Sequence, residues 1–232
     1  MKTPQNISAE AAALLVKPGM WLDYETGLVQ PDVFDAALGA RIGELTDIKV
    51  RSCLTMKPRA VLEADIDGDR VFWCSLHFSG YDRKKHDLGR AHYLPVNLGE
   101  IPDYYRRFID PVDIVILKTC PRDADGFYNM SASNLWHGAI VERARLVVVE
   151  VTKGLPYVFG PGSGIHESKV DYIIDGDDAP AAELANALTT EVDRAVARHI
   201  AEQVGDGACL QIGIGGMPNA VCALLLEAGV RD

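Results

Sequence analysis

Apolar and polar positions along this chain switch repeatedly between a helical and a strand period. Residues 8–16 carry apolar positions at helical spacing behind Ser8, a good N-cap, and Lys17-Pro18-Gly19 ends that helix. Residues 20–24 read as a strand and 25–27 as a turn, and Pro31 opens a helix through Ala40. The next strand is 47–52, with Ile48 and Val50 on one face. Residues 60–66 are amphipathic, 71–76 strand-like, 77–80 a turn, 93–98 a short strand and 101–108 a short helix. The clearest apolar strands are 112–118 and 146–151, the second containing Val-Val-Val-Glu-Val. Residues 121–126 and 154–166 read as loops and 170–174 as another strand. The stretch 179–203 is mainly helical, with Val192, Val196 and Ile200 on one stripe. Strands alternating with helices predict an α/β fold: an open, mostly parallel sheet with helices on both faces.

The pattern is sharpest in residues 207–226, GACLQIGIGGMPNAVCALLL. Residues 208–212 fit a buried strand of a parallel sheet, broken only by Gln211. Gly213, Gly215 and Gly216 allow a tight turn with close backbone approach, and Pro218, Val221, Leu224 and Leu225 continue as a helix. A strand, a glycine loop and a helix N-terminus together suit a phosphate, a carboxylate or a developing oxyanion. A tight turn that binds nothing satisfies the same pattern.

The same order occurs near the start. Val16-Lys17-Pro18-Gly19, then MWLDYETG, then a proline-started helix stands beside Val204-Gly205-Asp206-Gly207, then ACLQIGIG, then another proline-started helix. Gly19 matches Gly207 and Gly27 matches Gly215 at one offset. This predicts two related α/β halves. Residues 1–178 form the first, and 179–232 a linker helix with the start of the second, which stops just after Gly229, a helix-ending glycine. Asp175 to Pro180, with its Asp-Gly-Asp-Asp run, breaks the periodicity between them. A lone strand cannot make a sheet. Cys209, Leu210, Ile212, Val221, Leu224 and Leu225 are therefore expected to form an apolar patch covered by a complementary polypeptide or by the rest of a longer chain, with an oligomer as the outcome.

Composition narrows the function. The formal net charge of −10 and the lack of a basic stripe argue against nucleic acid. No apolar run reaches transmembrane length and the N-terminus has no signal-peptide pattern, which predicts a cytoplasmic protein. Five scattered cysteines, Cys53, Cys74, Cys120, Cys209 and Cys222, contain no C-x-x-C pair and read as buried thiols. His77, His86 and His92 are too loosely spaced for a metal site. Gly213, Gly215 and then Pro218 break the dinucleotide fingerprint, which disfavours a nucleotide-dependent oxidoreductase.

Four stretches, LGEIPDYYR, DIVILKTCPRDADGFYNM, VTKGLPYVFGPGSGIHESKVDYII and LQIGIGGMPNAV, occur in this order. Together they resemble the acetyl-CoA hydrolase/transferase family of type I CoA-transferases, most closely its 4-hydroxybutyrate and butyrate branch. The resemblance implies an acyl-CoA:carboxylate CoA-transferase with two related α/β domains. It implies CoA as a co-substrate, with no permanently bound cofactor and no metal. In that family a glutamate of the second domain attacks the thioester and carries CoA as a glutamyl thioester. Its motif follows the helix after the glycine loop and is not reached here; Glu227, inside the helix, does not match it. By the same resemblance the Ile214 N–H is the oxyanion donor, shaped by Gly213, Gly215 and Gly216. Gln211 either orients the acyl group or is an interior amide satisfied by backbone, and His166 either lines the acyl pocket or is structural. Glu25, the counterpart of Gly213, would repel an anionic substrate or sit harmlessly exposed. Asp82-Arg83-Lys84-Lys85-His86 would meet CoA phosphates or form a solvated surface. An acyl-CoA hydrolase and a non-catalytic CoA- or partner-binding fragment are the alternatives.

Overall fold

The computed structural model describes residues 3–183 and 188–231. They group into two compact units, Met1–Ala182 and Glu183–Asp232.

The first unit is built on an eight-stranded sheet. Its strands are β1 (Gln5–Asn6), β2 (Trp21–Thr26), β3 (Ile48–Cys53), β4 (Val71–Ser75), β5 (His92–Tyr93), β6 (Ile114–Thr119), β8 (Leu146–Val151) and β10 (Tyr172–Asp175). The order is β1-β10-β8-β6-β2-β3-β4-β5, and every pair is parallel. A separate antiparallel pair joins β7 (Phe127–Asn129) to β9 (Gly164–His166). The 154–166 stretch expected to be all loop thus ends in a strand.

Both faces of the sheet are covered, which explains the unbroken apolar runs. Ile114, Ile116 and Val148 point into one core with Leu22, Tyr24 and Trp73. There the sheet meets α1 (Ala9–Ala13), α2 (Val33–Ala40) and α3 (Ala60–Ala64). Val115, Leu117, Val147 and Val149 point into the other, with Ile101 and Tyr105 of α5 (Ile101–Arg107) and Ile140 of α6 (His137–Arg143). Helix α1 starts as its sequence dictates, Ser8 Oγ accepting from the Ala11 N–H at 3.1 Å. Residues 93–98, expected to be a strand, contribute only Tyr93 to β5.

The second face carries one fully buried ion pair at the centre of the sheet. Asp23 of β2 receives both Nε (2.9 Å) and Nη2 (2.7 Å) of Arg51 on β3, and the Tyr105 hydroxyl at 2.5 Å. The guanidinium also donates to Pro111 O and lies 4.4 Å from the centre of the Trp21 ring. Both carboxylate oxygens of Asp23 and the Nε and Nη2 donors of Arg51 are engaged, which offsets the cost of burying the two charges.

The charged stretch 80–87 is a helix, α4 (Gly80–Asp87), closed at its start by a Ser79–Asp82 capping box. Asp82 is buried: it caps the helix and accepts from Trp73 Nε1 at 3.2 Å. Lys85 is also buried and pairs with Glu63 at 2.9 Å. Only part of that segment is therefore the solvated surface expected.

The second unit contains α7 (Glu191–Ala201) and α8 (Gly216–Ala228). A Thr190–Asp193 capping box starts α7, and Gly229, in the left-handed region at φ 69°, ends α8. Part of the expected 179–203 helix, residues 184–187, lies outside the described residues. Ala197, Ala220, Val221 and Leu225 form the core between the two helices. This corrects two expectations. Residues 208–212 are not a strand but an irregular exposed segment, and Val221 and Leu225 are buried while Leu210 and Ile212 are exposed. The physical reason is that among the described residues no strand lies beside 208–212, so its peptide groups turn to solvent. Val192, Val196 and Ile200 do share a stripe on α7, and all three are exposed.

Candidate functional site

The chain runs outward from β2 in two directions: β3, β4 and β5 are laid down on one side, then β6, β8 and β10 on the other. The two series diverge between β2 and β6. In open parallel sheets ligands bind in the crevice beyond the carboxyl ends of the strands at such a switch point. Residues 25–32, 118–120 and 129–137 converge there.

Beyond β2 the backbone is held in unusual conformations. Glu25 has φ 54° and Gly27 φ 53°. A Cβ at Gly27 would lie 3.5 Å from Ser133 Oγ and 3.7 Å from Met56 Sδ, so the turn is tight as well as left-handed. Glu25 in that conformation is strained, and it is only 2% exposed. Its expected exposure is overturned: the side chain is folded under the turn. Neither carboxyl oxygen has a hydrogen-bond partner among the described residues. Burial pushes its pKa well up, partly offset by the backbone of Trp136 and His137, which favours the protonated form. His137 Nδ1 lies 4.0 Å from Glu25 Oε1, and burial lowers the pKa of that imidazole. Burial thus favours the neutral form of both facing groups. Gln30 closes the turn, donating through Nε2 to Cys53 O at 3.0 Å and to Glu25 O at 3.4 Å.

A few residues on, charges accumulate. Asp32 binds Lys57 at 3.0 Å, Arg59 at 2.9 Å and the ammonium of Lys118 at the end of β6. Burial raises the carboxyl pKa, but these three cations outweigh it and bring it down to about 2. Asp32 is thus ionised at all physiological pH values. Because its oxygens serve cations, it does not cap α2. That role falls to Glu150 of β8, whose carboxylate accepts from the N–H groups of Asp32, Val33 and Phe34 at 2.9–3.0 Å. Glu150 is fully buried; burial raises its pKa, while those amides and Lys118, 4.0 Å away, favour its charged form. Gly27, Leu28, Gln30, Lys57, Lys118 and Leu155 line the cleft above the cluster. Of the three cations on Asp32, Lys57 is the most exposed, its side chain at 40%.

The opposite wall is fixed by Asn129. Its amide donates to Val158 O at 2.9 Å, and its oxygen accepts from Ser131 N at 2.9 Å and Val158 N at 3.2 Å. Ser131 is itself left-handed, at φ 53°, and its hydroxyl is buried without a hydrogen-bond partner among the described residues.

Profile comparison assigns residues 3–184 to the acetyl-CoA hydrolase/transferase N-terminal domain. The chain belongs to the acetyl-CoA hydrolase/transferase family. It is 39% identical over 227 residues to a butyryl-CoA:acetate CoA-transferase of Anaerostipes caccae, covering 97% of this chain and 51% of that protein. A 4-hydroxybutyrate coenzyme A transferase of Clostridium kluyveri is 34% identical over 151 residues, 65% of this chain and 35% of the relative. RipA from Yersinia pestis superposes with a TM-score of 0.84 at 26% identity, over 95% of this chain and 53% of its own. The chain spans about half the length of the curated relatives it matches.

The residues singled out from the resemblance fall in both units. Gln211, Gly213, Ile214, Gly215 and Gly216 lie on one continuous segment of the second unit, leading into α8, whose N-cap is Gly215 at φ 144°. Ile214 is 88% exposed, and Gln211 is exposed rather than interior. The N–H groups of residues 209–215 donate to no described residue. A Cβ on Gly216 would stand 3.0 Å from Leu188 O, so this glycine allows close backbone approach. His166 belongs to the first unit. It sits on β9 opposite Phe127, with Nδ1 2.9 Å from Ser168 Oγ and 3.2 Å from Ser168 N. Among the cysteines, Cys53, Cys74 and Cys120 are buried as expected; Cys209 is exposed and Cys222 half-buried. Among the described residues no helix is long and apolar enough to cross a membrane.

Asp32, Lys118, Glu150 and His137 were not anticipated from the sequence. Two left a trace in it. Lys118 closes the apolar run 114–117, and Glu150 interrupts the otherwise apolar strand Leu146–Val151, where a carboxylate must find a partner. His137 has no such trace.

Proposed function

We propose that this chain forms the N-terminal part of an acyl-CoA:carboxylate CoA-transferase acting on a short-chain acyl-CoA. The similarity to the butyryl-CoA:acetate enzyme across 97% of the chain carries the reading. The nucleophilic glutamate comes from outside residues 1–232, supplied by a complementary polypeptide or by further chain, in an oligomeric cytoplasmic enzyme. Carboxylate attack on the thioester carbonyl expels the CoA thiolate; the thiolate then takes the glutamyl group, and the acyl carboxylate leaves. Negative charge develops on the thioester oxygen, and the Ile214 N–H receives it from a loop shaped by Gly213, Gly215 and Gly216. Gln211 orients the acyl group and His166 lines its pocket. The exposure of the 209–215 amides supports this, since donors already engaged could not serve. In the first unit, the switch-point cleft with Lys57 supplies positive charge for the anionic substrate.

Adduct mapping tests the assignment. The 232-residue chain is incubated with butyryl-CoA and acetate, and its peptides are searched for a glutamyl thioester. No CoA transfer and no adduct are expected. An adduct on Glu227, Glu25 or any other glutamate of this chain, with turnover, overturns it.

A further inference from the structure

We infer that the groove at the carboxyl ends of β3, β4 and β5 binds an organic anion, its charged head on Arg83 and its flat apolar body against Phe78, Tyr93 and His86. This groove encloses about 500 Å³, within the range of small-molecule sites. It lies beyond β3, on the side of the sheet away from the β2/β6 crevice; a coenzyme ligand there would rest on the transferase reading, whereas an aromatic carboxylate would not. Cys53, Leu76 and Ile101, all buried, form its floor.

The charge of the groove follows from how α4 disposes of its ions. Asp82 is turned inward onto Ser79 N and Trp73 Nε1, and Lys85 is held by Glu63. Arg83, on the groove wall, has neither an ion pair nor a side-chain hydrogen bond among the described residues. In a chain of net charge −10 an unspent guanidinium in a concave site stands out. It offers a planar fork to a carboxylate or phosphate.

The aromatic groups explain why the ligand needs a body. Phe78 lies 5.2 Å from Tyr93 and 5.3 Å from His86, with the rings tilted by 60° and 58° rather than stacked, and Tyr93 and His86 are exposed, so ring surface is available to a flat group. His86 Nδ1 is 2.7 Å from Ala91 O and must donate to it, leaving Nε2 unengaged. A bare inorganic anion would leave this apolar floor wet. Two sources share the required chemistry: an aromatic carboxylate and the adenosine-phosphate end of a coenzyme.

Titration of the 232-residue chain with benzoate, adenosine 3′,5′-bisphosphate and inorganic phosphate, followed by calorimetry and by the Arg83 and His86 NMR signals, tests the site. Saturable binding of at least one organic anion is expected, with both signals moving, and the tighter of the two identifies the source. Arg83→Gln, at an exposed helix position, should weaken it by about tenfold or more. Val96→Trp should block it by filling the groove, with folding checked by circular dichroism. Failure of both organic anions to saturate, equal binding of inorganic phosphate, or unchanged affinity in both variants overturns the proposal.

Discussion

Residues 16–40 and 204–228 share one sequence order yet differ in structure. In the first, the segment after Gly19 becomes β2, the central strand, with Leu22 facing both Val50 and Ile114. In the second, the segment after Gly207 stays irregular and exposed. Both positive-φ glycines are present, Gly19 at 85° and Gly207 at 77°, and both segments lead to a helix. Apolar residues are at least as frequent in CLQIGI, four of six, as in WLDYET, three of six. The difference is in the neighbours: β2 has a strand on each edge, whereas no described strand adjoins 208–212. Strand formation is here a property of the company a segment keeps, with local pattern as a necessary condition.

The sharpest test of that contrast is hydrogen exchange. Amides of Trp21–Thr26 should exchange only on global opening, several orders of magnitude slower than those of 209–214 in the same chain. Equal protection would remove the contrast. Next in size, Asp23→Ala strands the Arg51 charge in the core and should cost about 3–5 kcal/mol by urea unfolding of the first unit. Gln211→Ala, two residues before the second loop, should stay within about 0.5 kcal/mol. In the complete transferase the order inverts: Gly215→Val should lower kcat about a hundredfold if the Ile214 amide is an oxyanion donor, without loss of folding. An unchanged kcat would remove the loop from the chemistry.

The smallest effect concerns Glu25, which occupies the place of Gly213. Its folded pKa lies well above the unfolded value of about 4.3, so the folded state holds a proton that the unfolded state releases. That contribution is complete below about pH 4.3 and is lost as pH rises toward the folded pKa. Glu25→Gln should therefore be nearly neutral at about pH 4 and relatively stabilising at about pH 8. Asp35, pushed up to about 6 mainly by burial, gives a slope of the same sign over about pH 4 to 6 in both proteins. Their difference isolates Glu25.

The legible part of the fold was its periodicity. The strand at Leu146–Val151 and the cap at Ser8 follow directly from residue order. So does two-sided burial, once the sheet is parallel; the crevice needed the strand order. What could not be read was the identity of partners. Pro31 marks a helix start, but nothing in the order of residues shows that Asp32 beside it serves Lys57, Arg59 and Lys118. Glu25 looks like a turn carboxylate in solvent and is buried, because the loop through Trp136 and His137 closes over it. The glycine loop shows the opposite error, since its pattern is complete but no described strand adjoins it.

Glu150 bears on the timing of folding. The amides it receives lie 116 to 118 residues earlier in the chain. A helix start is ordinarily closed by a residue beside it, within nanoseconds of the first turn forming. Here closure waits for a loop whose entropy, scaling as (3/2)RT ln n, costs about 4 kcal/mol. On a ribosome α2 emerges long before its cap exists, and its first amides face water until β8 arrives. The two flanks of the sheet are thereby tied into one cooperative unit: a nascent chain cut before residue 150 should keep the start of α2 frayed, however well its own sequence favours the helix.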